Sequence, residues 1–450
     1  MEMFNMTKIE DIISLAKRKG FVFQSSEIYG GLSGVWDYGP LGIELKKNIQ
    51  KEWWKDMVYL HENVVGLDSS ILMRPEVWTA SGHVESFSEL LVDCKNCKNR
   101  FRTDSVDLSK NCPNCNTMGA FTSSRSFNLM FKTNIGAVEN SSSEIYLRPE
   151  TAQGIFVNFR NVLDATRLKV PFGIAQVGKA FRNEIIAKNF IFRTCEFEQM
   201  EMQFFVHPDQ MNDWYYYWKQ KRMSFFIEAL GIKPRKLRFK EHQEDELAHY
   251  AKSAVDIEYE FPFGFQEIEG IHNRGDYDLS QHAKFCGKPK LFEYHELTSG
   301  EKYVPYVIET SIGLTRSVLM ILCDAYVHED LDGGFKRIVL RLHPKLAPYK
   351  VAILPLVKKD GLPELARKVF MQLSDDFYMF YDDSGTIGKR YRRQDEIGTP
   401  YCVTIDYDTI ESRTVTLRER DSMAQIRISI DDLYSYIRTE ILNYKGVANR

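Results

Sequence analysis

Four of the eight cysteines stand in two pairs, Cys94-x2-Cys97 and Cys112-x2-Cys115, with fourteen residues between the pairs. Two such knuckles can close on one Zn2+ as four thiolates. Because four protein ligands fill a tetrahedral shell and leave no open position, the ion they predict is structural rather than catalytic. Four buried thiols or a redox pair are the competing readings, and the repetition of the pair within one loop favours the metal. Cys195, Cys286, Cys323 and Cys402 lack such spacing and read as packed side chains.

A second group of chemistry-bearing residues runs through Phe181-Arg182-Asn183-Glu184, a short loop, and Phe192-Arg193-Thr194-Cys195-Glu196-Phe197-Glu198-Gln199-Met200-Glu201. Alternation along a strand puts Phe197, Gln199 and Glu201 on one face and Met200, Met202 and Phe204 on the other. The first face is a polar floor and the second a core surface. Residues four apart in a strand lie ~13 Å from each other, so an aromatic ring and a carboxylate can grip the two ends of a ligand the size of an aminoacyl nucleotide. Arg182 and Glu184, also two apart, are expected to point the same way. Taken alone, this pattern is equally a hairpin with one solvated face. A third run, Glu309-Thr310-Ser311 followed by Gly313-Leu314-Thr315-Arg316, adds two polar groups on one strand face. Its glycine permits close backbone approach to a ligand, and its arginine in a first helical turn can reach a phosphate.

The elements that must hold these residues can be read from periodicity. Leu41, Leu45, Ile49, Trp53 and Met57 repeat every four positions behind Gly39-Pro40 and predict an amphipathic helix. Strands are predicted over 172–177, 193–206 and 303–311, and helices over 211–230 and 314–327. The stretch 93–117 turns to Cys, Asn and Lys with little apolar periodicity, as expected of an excursion not held by a core of its own. Pro344 and Pro348 mark a linker. Beyond it, 351–357, 363–373, 377–381 and 402–406 alternate strand and helix in an α/β pattern.

Composition bounds the answer more loosely. The 450 residues are 44% hydrophobic and 27% charged, enough for two or three domains at ~150 residues each. Apolar runs fall far short of the ~18–20 residues of a bilayer span, and the first residues lack a basic-then-apolar leader, so a cytoplasmic address is expected. With 59 basic and 62 acidic residues the net charge is −3, which excludes a protein that coats nucleic acid by bulk basicity. Any nucleic-acid partner must be met by local patches. Lys389-Arg390-Tyr391-Arg392-Arg393, beside the loop Asp382-Asp383-Ser384-Gly385, is the densest, and Lys233 to Lys240 is a second.

Read together, motif 2 as 181–201 and motif 3 as 313–316 resemble the antiparallel catalytic domain of class II aminoacyl-tRNA synthetases. The runs Phe23-Gln24-Ser25-Ser26-Glu27-Ile28-Tyr29-Gly30-Gly31, Trp36-Asp37-Tyr38-Gly39-Pro40-Leu41-Gly42 and Leu147-Arg148-Pro149-Glu150-Thr151-Ala152-Gln153-Gly154 are similar to the homodimeric glycyl-tRNA synthetase group of that class. The resemblance covers essentially the whole chain. It implies an α+β architecture: a class II catalytic domain over 1–342, carrying a zinc-knuckle insertion at about 91–120 and a helical and strand insertion at about 207–262, then an α/β anticodon-binding domain over 343–450. Two departures stand out: no proline follows Asp68-Ser69-Ser70 where motif 1 usually ends, so the homodimer is inferred from the family, and Cys195 takes a position where relatives commonly carry a basic residue.

The implied activity is adenylation of glycine by ATP with Mg2+, then transfer of the glycyl group to the 3′ end of tRNA-Gly. By the same resemblance Arg182, Glu184 and Arg316 are catalytic. Arg182, Asn183, Glu184, Phe192, Phe197, Glu267, Ile268, Gly313 and Arg316 would bind ATP, with Glu267 and Glu309 near the metal-bound phosphates. Glu150, Phe197, Gln199, Glu201, Arg274, Glu309, Ser311 and Gly313 would surround glycine; for Arg274 a salt-bridged loop role is an equal alternative. Cys94, Cys97, Cys112 and Cys115 would hold the zinc, and Lys389, Arg390, Arg392 and Arg393 would meet tRNA. The rival readings are a class II synthetase for threonine, serine or proline, and a non-catalytic relative that keeps the fold to bind nucleic acid. Retention of Arg182, Glu184, Phe197, Glu309 and Arg316 together speaks against the second.

Overall fold

The computed structural model of the chain describes residues 8–137, 143–185, 189–248 and 250–444. The leader reading on 1–7, part of the loop after Glu184, one position of the 207–262 insertion and 445–450 of the C-terminal domain lie outside them. No described helix is long and apolar enough to cross a membrane.

Helix α1 (Pro40–Trp54) begins on the predicted proline and buries Leu41, Leu45, Ile49 and Trp53, while a π-helical turn over Lys55–Tyr59 carries Met57 into the same core. It lies directly on a hairpin of Val22–Gln24 and Trp36–Tyr38. Gly42 allows this approach, since a Cβ there would fall 1.8 Å from the Phe21 carbonyl oxygen.

The centre of the first domain is a seven-stranded sheet of β1 (Val64–Gly66), β2 (Phe172–Phe181), β3 (Glu196–Val206), β4 (Leu237–Glu241), β5 (Ser253–Phe261), β6 (Gly264–Gly275) and β7 (Tyr306–Gly313). Its order is β4-β5-β6-β7-β3-β2-β1, antiparallel except for the β2–β1 pair. The segment expected as a separate insertion over 207–262 therefore supplies two strands of the main sheet. Four further helices, α2 (Ala152–Thr166), α3 (Met211–Ser224), α4 (Tyr277–Phe285) and α5 (Leu314–Ala325), pack on it. α5 is buried on nearly every side, as the continuous apolar run from Val318 to Cys323 requires. It joins Ile49 and Trp53 of α1 and Met200, Met202 and Phe204 of β3 in one core below the sheet. Above the sheet, α2 and α4 cover the end that holds Phe172, Ile174, Phe205 and Val307. The rest of the upper face is left as a polar floor.

The cysteine-bearing insertion is a three-stranded sheet of Ser88–Asp93, Arg100–Arg102 and Arg125–Asn128, wider than the predicted 91–120. After a hairpin, β8 (Tyr326–Leu331) and β9 (Phe335–Leu340), the C-terminal domain forms a five-stranded sheet. Its strands are β10 (Val351–Pro355), β11 (Met379–Tyr381), β12 (Tyr401–Ile405), β13 (Thr414–Glu419) and β14 (Gln425–Ser429), with helices α6 (Leu362–Leu373), α7 (Ile387–Ile397) and α8 (Ile430–Asn443). Its core starts at Val351. Leu342, Leu346 and Ala347 belong to the first core, and Asn48 of α1 donates to the Leu346 and Ala347 carbonyls at 3.2 and 3.1 Å, so the boundary falls near 350 rather than 343.

Candidate functional site

Register builds the floor. Glu201 of β3 stands opposite Gln176 of β2 and Ser311 of β7, and Ser311 stands opposite Gly270 of β6. One step along, Gln203, Glu309 and His272 form the next row. Phe197, Gln199, Glu201 and Gln203 share the upper face, and Met200, Met202 and Phe204 sit in the core below. Glu150 approaches from the turn before α2.

Hydrogen bonds fix the carboxyls, with Gln203 shared between Glu201 and Glu309. Glu309, 4% exposed, accepts from Arg274 Nη1 at 3.0 Å, Gln203 Nε2 at 2.9 Å and, in the remaining geometry, lies 2.7 Å from His272 Nδ1. Glu201, 1% exposed, accepts from the Thr151 hydroxyl and from Gln203 Nε2 at 2.8 Å. Glu150 accepts from Gln153 Nε2 at 3.0 Å, and its other oxygen lies 3.3 Å from His83 Nε2. Arg274 is no loop residue: it is buried at the end of β6, donates to both oxygens of Asp278 at 2.7 and 2.9 Å, and lies 3.7 Å over the Tyr250 ring. Ser311 Oγ accepts from Gln199 Nε2 at 3.3 Å.

Burial alone would raise all three carboxyls. For Glu309 the Arg274 guanidinium and His272 overcome it and hold the group well below the usual range. For Glu150, His83 and then Arg274 overcome it and bring the group to about 2. Glu201 has no such cation; burial and the neighbouring Glu309 and Glu150 push it well above the usual range. The site thus gathers three carboxyl groups around a small space, two held low and Glu201 pushed upward, an arrangement suited to a cation with several hydrogens to donate.

The residues expected to bind ATP group beside this cluster. The Arg182 guanidinium lies between the Phe87 and Phe197 rings, 5.3 Å from each, and its Nε donates to the Pro149 carbonyl at 3.1 Å. Arg316 lies 4.5 Å over the Phe192 ring and donates to the Phe192 and Glu267 carbonyls at 3.3 and 3.1 Å. The same arginine, 3.2 Å from the Glu267 carboxylate, lowers that carboxyl. Three expectations need correction. Arg182 and Glu184 do not point the same way, because β2 ends at Phe181 and the chain turns at Asn183, where Glu184 N–H donates to the Arg182 carbonyl at 2.7 Å. Glu184 faces Arg193 at 3.6 Å instead. The Ile268 side chain lies in the core, so only its backbone is available to a nucleotide. Glu309, expected near metal-bound phosphates, is instead enclosed by Arg274, Gln203 and His272.

Alternation should have found Gln203, two beyond Glu201, and His272, two before Arg274. His83, Thr151, Gln153 and Asp278 carry no such signal, since each acts on a group supplied by another element.

The cysteines meet as the spacing predicts: their four sulfurs lie within 4.8 Å of one another. Each knuckle closes through a left-handed residue, Lys98 (φ 61°) or Asn116 (φ 56°), whose N–H donates back to Cys94 or Cys112. A tetrahedron with ~2.3 Å Zn–S bonds spaces its sulfurs about 3.8 Å apart. The Cys94–Cys115 and Cys97–Cys112 separations are 3.6 and 3.8 Å, so the donor set fits zinc.

The basic cluster divides. Arg390 is buried and donates to the Pro355, Asp382 and Leu356 carbonyls, so it staples α7 to the sheet and is withdrawn from the tRNA-facing set. Arg393 is tied to Asp382 at 2.6 Å. Lys389 and Arg392 line a groove of about 700 Å3 with Tyr391, Arg418 and Met423. In the second basic run, Lys233 and Lys236 turn to Asp324, Arg238 to Glu258 and Lys240 to Glu246, so much of its charge is met within the fold.

Comparison with known proteins follows the same division. Residues 131–325 match the tRNA synthetase class II core domain (G, H, P, S and T), and residues 350–440 match the anticodon binding domain. The chain is 86% identical over 445 residues to a glycine–tRNA ligase of Borrelia hermsii, covering 99% of this chain and 100% of that protein. It is 77% identical over 445 residues to one of Borreliella burgdorferi, with the same coverage, and 60% identical over 446 residues to one of Treponema denticola, covering 97% of this chain and 98% of the relative.

Proposed function

The chain belongs to the glycine–tRNA ligases of the class II aminoacyl-tRNA synthetases, and on that premise we propose how its residues divide the work. It activates glycine with ATP, releasing pyrophosphate, and transfers the glycyl group to the 3′ end of tRNA-Gly. The first step trades a phosphoanhydride bond of ATP for the mixed anhydride of glycyl-adenylate and the second trades that anhydride for a ribose ester, so positioning and positive charge carry the catalysis and no covalent nucleophile is needed.

Glycine enters ammonium first, toward Glu150, Glu201 and Glu309, with Ser311 and the bare backbone at Gly270 and Gly313 on the side of its Cα. Its carboxylate then faces Arg182, which holds it against the α-phosphate of ATP; a planar guanidinium can bridge both groups and stabilise the charge that builds as one carboxylate oxygen attacks phosphorus. Phe197 and Arg316 flank the adenine, Glu184 and the Asn183 backbone meet its edge, and Phe192 supports Arg316. Mg2+ would supply charge neutralisation to the phosphates, with Glu267 as the carboxylate available to hold it. In the second step the terminal ribose hydroxyl of tRNA attacks the glycyl carbonyl and AMP leaves. The single observation that carries this division is the pair of buried carboxyls, Glu201 and Glu309, on one sheet face beside Arg182, with the partly buried Glu150 brought against them from the turn before α2.

Three further assignments rest on the same premise. Zn2+ sits in the four-cysteine cluster as a structural ion. Lys389, Arg392 and Arg393 face tRNA, with the Tyr391 groove as the base-contacting part. The chain works as a cytoplasmic homodimer, paired along the open edge of β1 and the exposed Tyr59, Leu60 and Tyr217 near it. Arg182→Ala tests the central assignment: glycine-dependent pyrophosphate exchange is expected to fall by at least about 100-fold with the circular dichroism spectrum unchanged, and full exchange in that variant would remove Arg182 from the reaction.

A further inference from the structure

The stem from which the cysteine insertion leaves the catalytic domain touches both ends of the site. His83, in the short helix His83–Ser86, is 8% exposed; its Nε2 lies 3.3 Å from a Glu150 oxygen and its Nδ1 2.8 Å from Ser81 Oγ. The ring is wedged between Trp78 and Phe87, with centroids 5.5 and 5.3 Å away, so it has little freedom to turn. Phe87 in turn backs the Arg182 guanidinium from the side opposite Phe197. The two arms of the stem are tied across. Leu129 N–H donates to the Phe87 carbonyl at 3.0 Å, Asn128 Nδ2 donates to the His83 and Val84 carbonyls, and the Leu129 carbonyl accepts from Asn183 N–H at 2.7 Å.

We propose that this stem is a positioning element of the active site, in which His83 sets the orientation of Glu150 and Phe87 sets that of Arg182. The insertion is then more than an appendage: its base holds one carboxylate of the amino-acid end and the guanidinium of the phosphate end at a fixed separation. Of the groups that face Glu150, Gln153 occupies one carboxylate oxygen and His83 the other, while Arg274, Glu309 and Glu201 approach from the sheet. A Glu150 without His83 keeps one donor and can rotate about its terminal bond, so the ammonium meets an acceptor that is not preset. Phe87 and Phe197 together confine a guanidinium that would otherwise swing on a long flexible side chain.

The proposal rests on the assignment of Glu150 to the glycine ammonium, and the experiment separates the two. Pyrophosphate exchange on the full chain is measured for Glu150→Gln, His83→Ala, His83→Gln and Phe87→Ala, with thermal melting of each. His83→Ala is expected to raise the KM for glycine about tenfold with the KM for ATP changed by less than about twofold. His83→Gln, whose amide can donate from nearly the same place as Nε2, is expected to recover most of the loss. Phe87→Ala is expected to lower kcat more than it raises the KM for glycine. An unchanged glycine KM in His83→Ala, beside a raised one in Glu150→Gln, overturns the role of His83 alone. An unchanged glycine KM in Glu150→Gln overturns the assignment beneath it. Parallel losses of melting temperature, both KM values and kcat, with no recovery in His83→Gln, show a merely structural residue and also overturn the proposal.

Discussion

Glu201 differs from its two neighbours in having no cation beside it, and this makes its proton a participant in glycine binding. The ligand-free carboxyl holds its proton above the ordinary value of 4.5; an arriving ammonium favours the ionised form. Glycine binding therefore releases a proton over the interval between the group's lowered value in the complex and its raised value in the free enzyme, affinity for glycine rises with pH across that interval, and it levels off above it. Glu150 and Glu309, held low by their cations, are ionised throughout and add no slope there. Calorimetry in buffers of different ionisation enthalpy is expected to register this proton, and Glu201→Gln is expected to abolish both it and the pH slope; an unaltered slope in that variant would contradict the assignment. Alternation along 196–206 is enough to put Phe197, Gln199 and Glu201 on one face. What it cannot reveal is that Glu309 and Glu150 are clamped by His272 and His83 while Glu201 is not, because those contacts join strands and turns far apart in sequence.

At the scale of elements, the cysteine insertion is held by little apolar surface: around the four sulfurs only Cys94, Cys112 and Ala120 are buried, with Phe101 and Phe121 partly buried beside them, and the adjoining strand adds Leu91 and Val92. Such a module gains much of its folding free energy from its metal. Cys112→Ser is expected to lose stoichiometric zinc, and residues 88–128 to lose hydrogen-exchange protection while the central sheet keeps it; zinc retained at one per chain would contradict the ligand set. The knuckles and α1 were both legible, one from ligand spacing and the other from apolar residues four apart. Helix α7 was not. Its buried side is Arg390, Gln394 and Asp395 rather than a stripe of apolar residues, so its inner face reads as part of a charged run. The same disguise makes Arg390 look like a phosphate contact when it is a staple.

For the whole molecule, net charge says little about tRNA. Positions 343–450 hold 17 basic and 16 acidic residues, so recognition rests on where charge is placed. Several of the acids are placed to join the domains. Asp395 of α7, fully buried, receives both Arg418 of β13 at 2.8 and 3.0 Å and Arg337 of β9 at 3.2 Å. Arg420 reaches back to the Leu342 carbonyl at 2.8 Å. These contacts cross a boundary that the two prolines mark only within several residues, because the chain between them packs on the first core. Removing one partner of a buried ion group typically costs ~3–5 kcal/mol. Asp395→Asn is expected to loosen the C-terminal domain against the catalytic domain, lowering tRNA charging well below wild type while glycine-dependent pyrophosphate exchange is largely kept. Equal loss of both would place the effect in the catalytic core instead.

The account turns on a site that admits glycine and excludes anything larger, and pyrophosphate exchange with glycine, alanine, serine, threonine and proline tests it most directly. A methyl forced against the packed wall costs ~1–3 kcal/mol, so alanine is expected to support exchange at least about tenfold less efficiently than glycine, and the larger three less still. Exchange driven by serine or threonine and not by glycine would contradict it.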